Sequence, residues 1–137
     1  MRVFIDTNVV LDFLLEREPF IKDAVKLFAK IDSGEITGFI AATTITNIYY
    51  IILKAAGVKV AQDAISQILT DLHICMVDRN VLEQAITLNL QDFEDAVQYA
   101  CAMTSMVDII VTRDVSGFLS SEIPVMQPGE FSNIFSE

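Results

Sequence analysis

The first eight residues constrain the fold of this chain more than any other stretch. A short β-favouring segment, Arg2–Ile5, runs directly into Asp6, Thr7 and Asn8, and a helix-periodic apolar run over residues 9–15 follows. This pattern predicts a buried strand that ends at a carboxylate, with Asn8 capping the helix behind it. A nearly continuous apolar strand that leads straight into a helix is typical of a parallel α/β sheet.

Strand-like and helical segments alternate along the rest of the chain. The alternation predicts one α/β domain over residues 1–137, with a parallel sheet of about five strands and helices on both faces. The other predicted strands cover residues 36–41, 73–77, 108–112 and 123–126. The other predicted helices cover residues 20–31, 43–56, 58–72, 80–90, 92–105 and a short segment from 128. Pro19 suits the first turn of the helix over 20–31, and Thr43 or Thr44 is expected to cap the helix that ends at residue 56.

The charge of the chain excludes one broad class of nucleic-acid binders. A formal net charge of −10 does not suit a protein that holds nucleic acid mainly through basic patches. The partner is therefore either basic or a nucleic acid that is met through metal ions, which invert the local charge. His73 is the only histidine, at the start of a predicted strand, and we interpret it as structural rather than as part of a Ser–His or Cys–His catalytic device.

The apolar share of 53% is high for a monomer, and we expect part of it to lie at a homodimer interface. The longest uncharged stretch, residues 36–53, is interrupted by Gly38, threonines and Asn47, so it reads as a strand plus a helix rather than a membrane span. We see no signal peptide at the N-terminus, and Cys75 and Cys101 are isolated. These features predict a cytoplasmic protein.

Three aspartates occupy positions that a parallel fold would gather at one sheet edge. Asp6 follows the first strand, Asp114 follows the fourth, and Asp95 lies in the first turn of the helix before the fourth strand. If strands one and four are neighbours, all three project into the crevice at the carboxyl ends of the strands. A simpler explanation remains for each: Asp6 as a turn residue, and Asp92 with Asp95 as acids that suit a helix N-terminus.

Clustered carboxylates repel each other, at a cost of about 4 kcal/mol per pair at ~4 Å and an effective dielectric near 20. A hard divalent cation among them removes that cost, and an all-oxygen ligand set favours Mg²⁺ or Mn²⁺ over zinc. Such a cation polarises phosphoryl oxygens and activates water. The class of reaction indicated is metal-assisted phosphodiester hydrolysis.

Three segments of the chain form a distinctive set: Val3-Phe4-Ile5-Asp6-Thr7-Asn8-Val9-Val10-Leu11-Asp12, Asp92-Phe93-Glu94-Asp95-Ala96 and Ile110-Val111-Thr112-Arg113-Asp114. Together they resemble the PIN-domain family, which includes the VapC-like toxins of toxin–antitoxin pairs. The resemblance implies a single PIN-like domain with strand order 3-2-1-4-5. It also implies an Mg²⁺- or Mn²⁺-dependent ribonuclease that acts on RNA, with an antitoxin protein as a possible partner. By that resemblance, Asp6, Asp95 and Asp114 are the metal-binding catalytic residues, while Asn8 and Thr112 support them.

One position departs from the family pattern. Where the family usually has a glutamate on the helix after strand two, this chain has Asn47. The surrounding segment, Thr46-Asn47-Ile48-Tyr49-Tyr50, resembles one branch of the family. Asn47 can still support the site but carries no charge, and whether Asp92 or Glu94 compensates stays open. The alternative function is therefore a PIN-fold binding module with a weakened site.

A phospho-acceptor domain of the receiver type is a third reading of the alternating pattern, with Asp78 as the acceptor. That fold requires paired acids after the first strand and a lysine after the last. Asp6 is followed by Thr7 and Asn8, and no lysine follows Lys59. We therefore set this reading aside.

Overall fold

The computed structural model describes residues 1–118 and 121–134 of the chain. Strands and helices alternate through this part, as predicted. The strands are β1 (Arg2–Ile5), β2 (Thr37–Ala41), β3 (His73–Cys75), β4 (Ile109–Val111) and β5 (Val125–Met126). The helices are α1 (Thr7–Leu14), α2 (Ile21–Asp32), α3 (Ala42–Ala56), α4 (Val58–Asp71), α5 (Arg79–Thr87), α6 (Phe93–Thr104) and α7 (Pro128–Ile134), with a 3-10 turn at Val115–Phe118. None of the described helices is long and apolar enough to cross a membrane.

The five strands form one parallel sheet in the order β3-β2-β1-β4-β5. This order confirms the predicted PIN-like topology, and it places β1 beside β4, with Ile5 paired to Val111 at their carboxyl ends. The chain reverses its direction of winding between these two strands. Because ligands of parallel sheets bind where the strand order reverses, we expect a functional site at the carboxyl ends of β1 and β4.

Side chains of β1 alternate between two hydrophobic cores. Val3 and Ile5 lie in the core that α1 to α4 and α7 cover, while Phe4 points into the core formed with α5 and α6. All three are fully buried. This arrangement confirms that helices cover both faces, and it explains why the first strand is apolar at consecutive positions rather than at alternate ones.

Three predictions about helix starts are wrong. Asp6, and not Asn8, is the N-cap of α1, because β1 ends at Ile5 and the helix begins at once with Thr7. Neither Thr43 nor Thr44 caps α3, since that helix begins at Ala42, directly from the end of β2. Pro19 lies outside α2, which starts at Ile21 after a turn closed by the Ile21 N–H and the Arg17 carbonyl.

Candidate functional site

The adjacent ends of β1 and β4 are held together through a buried hydroxyl. The Thr112 hydroxyl donates to Asp6 Oδ2 at 2.6 Å and accepts from the Asp114 N–H at 3.0 Å. Asp6 Oδ1 accepts from the Thr7 N–H at 2.7 Å, and Asp6 is only 5% exposed. The side chain of Thr112 therefore connects the carboxylate that ends β1 to the backbone of the aspartate that follows β4.

The start of α6 brings further acids to this edge. Asp92 is its N-cap, which agrees with the simpler explanation of an acid that suits a helix N-terminus, and its Oδ1 accepts from the N–H groups of Glu94 (2.8 Å) and Asp95 (3.3 Å). Asp92, Asp95 and Asp114 line a cleft of about 410 Å³, together with Ser116, Gly117 and the segment before α6. We call this the acidic cleft.

Gly117 lies between two of the carboxylates of the acidic cleft. A Cβ atom at this glycine would lie 2.7 Å from Asp95 Oδ2 and 3.4 Å from Asp114 Oδ2. The Ser116 hydroxyl donates to the other Asp114 oxygen, Oδ1, at 2.5 Å. The glycine thus leaves space that two carboxylate oxygens face from different parts of the chain.

Glu94 points to a different part of the same edge. Its Oε1 lies 3.2 Å from the Thr7 hydroxyl, and its Oε2 accepts from Asn47 Nδ2 at 3.3 Å. The Thr7 hydroxyl is also 3.2 Å from that of Thr44, which is fully buried in the first turn of α3. Glu94 therefore connects the start of α6 to the start of α1 and to Asn47 in the second turn of α3.

Burial and neighbouring like charges raise the pKa values of two of these acids. The pKa of the Asp95 carboxyl is raised to about 7, first by burial and then by the like charges of Asp6, Asp92, Asp114 and Glu94. Burial also raises the pKa of Glu94, a hydrogen bond from Thr7 opposes the rise, and the charges of Asp6 and Asp92 add to it. Without a cation, the site therefore favours a proton on Asp95 near neutral pH.

The residues of the acidic cleft fit a hard divalent cation by their chemistry and by the space at Gly117. The donors are carboxylate and hydroxyl oxygens, which Mg²⁺ and Mn²⁺ prefer. Within residues 1–118 and 121–134, however, no three acidic, histidine or cysteine side chains are already grouped as a cation site. Carboxylates that repel each other are expected to lie apart until a cation draws them together. Cation binding by Asp6, Asp95 and Asp114 thus stays a prediction.

The other predicted site residues take different positions. Asn8 lies in the first turn of α1, and its buried Oδ1 has no hydrogen-bond partner among the described residues. Asn47 is exposed and reaches the cleft edge only through Glu94. Sequence reasoning missed Thr7, Ser116 and Gly117 as residues of this edge. The available signal was their place in the chain: Thr7 directly follows Asp6, and a Ser-Gly pair, typical of turns, follows Asp114 closely.

Arg113 does not enter the acidic cleft, although it lies between Thr112 and Asp114. Its Nε and Nη2 donate to the Asp12 carboxylate at 2.7 and 3.3 Å, and Asp12 is 1% exposed. Its guanidinium also packs over the Phe20 ring, 3.8 Å from the ring centre. The strand end that carries Asp114 is thereby tied to α1, whose first residue follows Asp6.

Comparison with known proteins agrees with this geometry. A family model described as "PIN domain" matches residues 2–116. The chain is 30% identical over 135 residues to "Ribonuclease VapC1" of Aquifex aeolicus (strain VF5), which covers 95% of this chain and 92% of that protein.

Two solved structures show the same fold at low identity. One is VapBC-1 from nontypeable Haemophilus influenzae, with a TM-score of 0.70, 14% identity and coverage of 94% of this chain and 99% of that one. The other is Mycobacterium tuberculosis VapC20, described as a Sarcin-Ricin loop cleaving toxin, with a TM-score of 0.66, 16% identity and coverage of 79% and 86%. The family match, the relative and the shared fold lead to one conclusion: this chain belongs to the PIN domain family.

Proposed function

We propose that this protein is a divalent-metal-dependent endoribonuclease and the toxin of a toxin–antitoxin pair. The observation that carries the proposal is the position of Asp95 and Asp114, whose oxygens face one space beside Gly117, with the Asp6 charge close enough to raise the pKa of Asp95. A relative that spans nearly the whole chain is named a ribonuclease. We propose that residues 1–137 act as one domain.

In this proposal Asp6, Asp95 and Asp114 would hold Mg²⁺ or Mn²⁺. The bound cation would polarise a phosphoryl oxygen of RNA and activate water for hydrolysis. The chain itself supplies the positioning: Thr112 orients Asp6, Ser116 orients Asp114, and Asp92 fixes the start of α6. The cation also reconciles a net charge of −10 with a polyanionic substrate.

The partner proposals come from the relatives and from the surface. Several solved neighbours are toxin–antitoxin complexes, one of them from Klebsiella pneumoniae with a TM-score of 0.68, 19% identity and coverage of 92% of this chain and 97% of that one. We therefore propose an antitoxin protein as a partner and a cytoplasmic location. Tyr50 and Ile51 are 62% and 42% exposed on α3, and such apolar exposure supports a protein interface, including a homodimer.

RNA cleavage with millimolar MnCl2 or MgCl2, and its loss in EDTA, tests the activity. The variants Asp6→Asn and Asp95→Asn should abolish cleavage. Asp63→Asn is the matched control, because Asp63 lies on the exposed surface of α4, where it pairs with Lys59. If Asp6→Asn and Asp95→Asn cut RNA as fast as the parent, the activity belongs to a contaminant or to another site.

The alternative is a binding module with a weakened site, which the neutral Asn47 favours. It predicts RNA or protein binding without cleavage, and no rise in melting temperature on addition of MnCl2. A nuclease whose folded state binds the cation must instead melt at a higher temperature in its presence.

A further inference from the structure

The edge of the site next to α3 carries the carboxylate of Glu94, a residue of α6, and no acid from α3 itself. On α3 the neutral side chain of Asn47 points at Glu94, with Nδ2 3.3 Å from Oε2. The two side chains therefore reach the same point from two helices. An acid placed at either position would present its carboxylate there.

Glu94 also lies near Asp6, the acid that directly follows β1. Its other oxygen, Oε1, lies 3.2 Å from the hydroxyl of Thr7, the residue that follows Asp6 and whose N–H binds the Asp6 carboxylate. The Asp92 cap fixes the backbone on which Glu94 is carried. Consecutive acids of α6 thus serve two sides of the edge: Asp95 faces Asp114 and Gly117, and Glu94 faces α1 and α3.

Glu94 uses a different carboxylate oxygen for each neighbour, Oε1 beside the Thr7 hydroxyl and Oε2 beside Asn47 Nδ2. A glutamine has a single carbonyl oxygen, so it would accept at only one of these two points. The first turn of α6 suits a negative charge at Glu94, while the charges of Asp6 and Asp92 oppose it. A cation at this edge would offset that repulsion.

We propose that Glu94 is the fourth carboxylate of the cation site, replacing the acid that α3 lacks at position 47, and that Asn47 and Thr7 position it. The proposal rests on the proposed function, because it adds a residue to the same site. It assigns Asn47 a definite role as the donor that orients Glu94. It also explains how the site retains four acids although α3 carries an amide.

Isothermal titration of the metal-free protein with MnCl2 at pH 8, without RNA, tests this assignment. Glu94→Gln should weaken Mn²⁺ binding at least about tenfold, since even residues that only support metal ligands are worth about 10- to 100-fold in affinity. Glu83→Gln is the matched control, because Glu83 lies on the exposed surface of α5, within 4.0 Å of Arg79. Circular dichroism verifies that each variant is folded.

The decisive variant exchanges the two groups, Asn47→Asp together with Glu94→Gln. It keeps net charge, size and the hydrogen bond between the two side chains, and it moves only the carboxylate from α6 to α3. Mn²⁺ affinity should return to within about threefold of the parent value, well inside the tenfold loss of a missing ligand. A structural role for Glu94 predicts no loss in Glu94→Gln.

The outcomes separate this proposal from the proposed function. If Asp95→Asn abolishes Mn²⁺ binding while Glu94→Gln binds as tightly as the parent, the role of Glu94 is refuted and the nuclease proposal stands. A loss in Glu94→Gln that the exchange does not restore also refutes it, because the carboxylate at position 47 would then not substitute. If the parent chain itself does not bind Mn²⁺, the proposed function fails first.

Discussion

Gly117 offers a test of the cation site that changes no charge. In Gly117→Ala the new methyl group would lie 2.7 Å from Asp95 Oδ2, 3.5 Å from Asp95 Cγ and 3.4 Å from Asp114 Oδ2. The nearest of these separations is shorter than the ordinary contact distance of about 3.5 Å between non-bonded heavy atoms. The Asp95 carboxylate must therefore move away from the new methyl group, which occupies the space that both oxygens face.

The expected effect on stability is small. The contact is with the end of the Asp95 side chain rather than with backbone. An alanine in place of glycine also restricts the unfolded chain, which is worth about 0.4–1 kcal/mol in favour of folding. We expect the free energy of unfolding of the metal-free protein to change by less than about 1 kcal/mol, as for most substitutions outside the core.

The expected effect on metal binding is large. Disturbing the support of a metal ligand typically lowers affinity about 10- to 100-fold, which corresponds to about 1.4–2.8 kcal/mol. Titration with MnCl2 measures this directly, and cleavage of RNA should fall in parallel. Gly129→Ala is the matched control, because its methyl group would lie 3.2 Å from Asp23 Oδ2, outside the acidic cleft. Unchanged Mn²⁺ affinity in Gly117→Ala would show that no cation binds between Asp95 and Asp114.

Two further predictions follow from the buried and ionised groups. Asp12→Ala should destabilise the fold by about 1–3 kcal/mol in urea unfolding, because it leaves the half-buried Arg113 guanidinium without its carboxylate partner; a loss below about 0.5 kcal/mol would contradict this. The metal-free protein should melt at lower temperature as pH rises from about 4 to 7, since folding favours the protonated form of Asp95, whose pKa is raised to about 7. This slope should be reduced in Asp95→Asn, and an unchanged slope would assign it to other groups.

The fold could be predicted from the sequence because its strands and helices each have a local hydrophobic pattern that repeats along the chain. Apolar runs of strand length alternate with helix-periodic segments, and such patterns report which residues are buried whatever their distant neighbours are. Asp6 and Asp114 could be placed at one sheet edge by the same logic, since both follow strands. Strand order came from the resemblance to the PIN-domain family, and the structure confirms it.

Helix caps were predicted less well because several polar residues compete at each helix start. Asp6, Thr7 and Asn8 all favour cap positions, and the end of β1 decides that Asp6 takes the role. The same holds at α3, where the helix begins directly from β2 and Thr44 becomes a buried partner of Thr7. N-cap propensity indicates within a few residues where a helix begins. Where the preceding strand ends then decides which of those residues is the N-cap.

What the sequence alone determined is the α/β class, the positions of the strands and the acids that end them, because each depends on neighbours within a few residues. Tertiary structure decided that Glu94 meets Asn47 across 47 residues of chain, and that Arg113 binds Asp12 instead of entering the cleft. These contacts depend on how the helices pack on the sheet. The hydrophobic periodicity of the sequence reports which faces are buried, but it does not report which partner a polar side chain contacts.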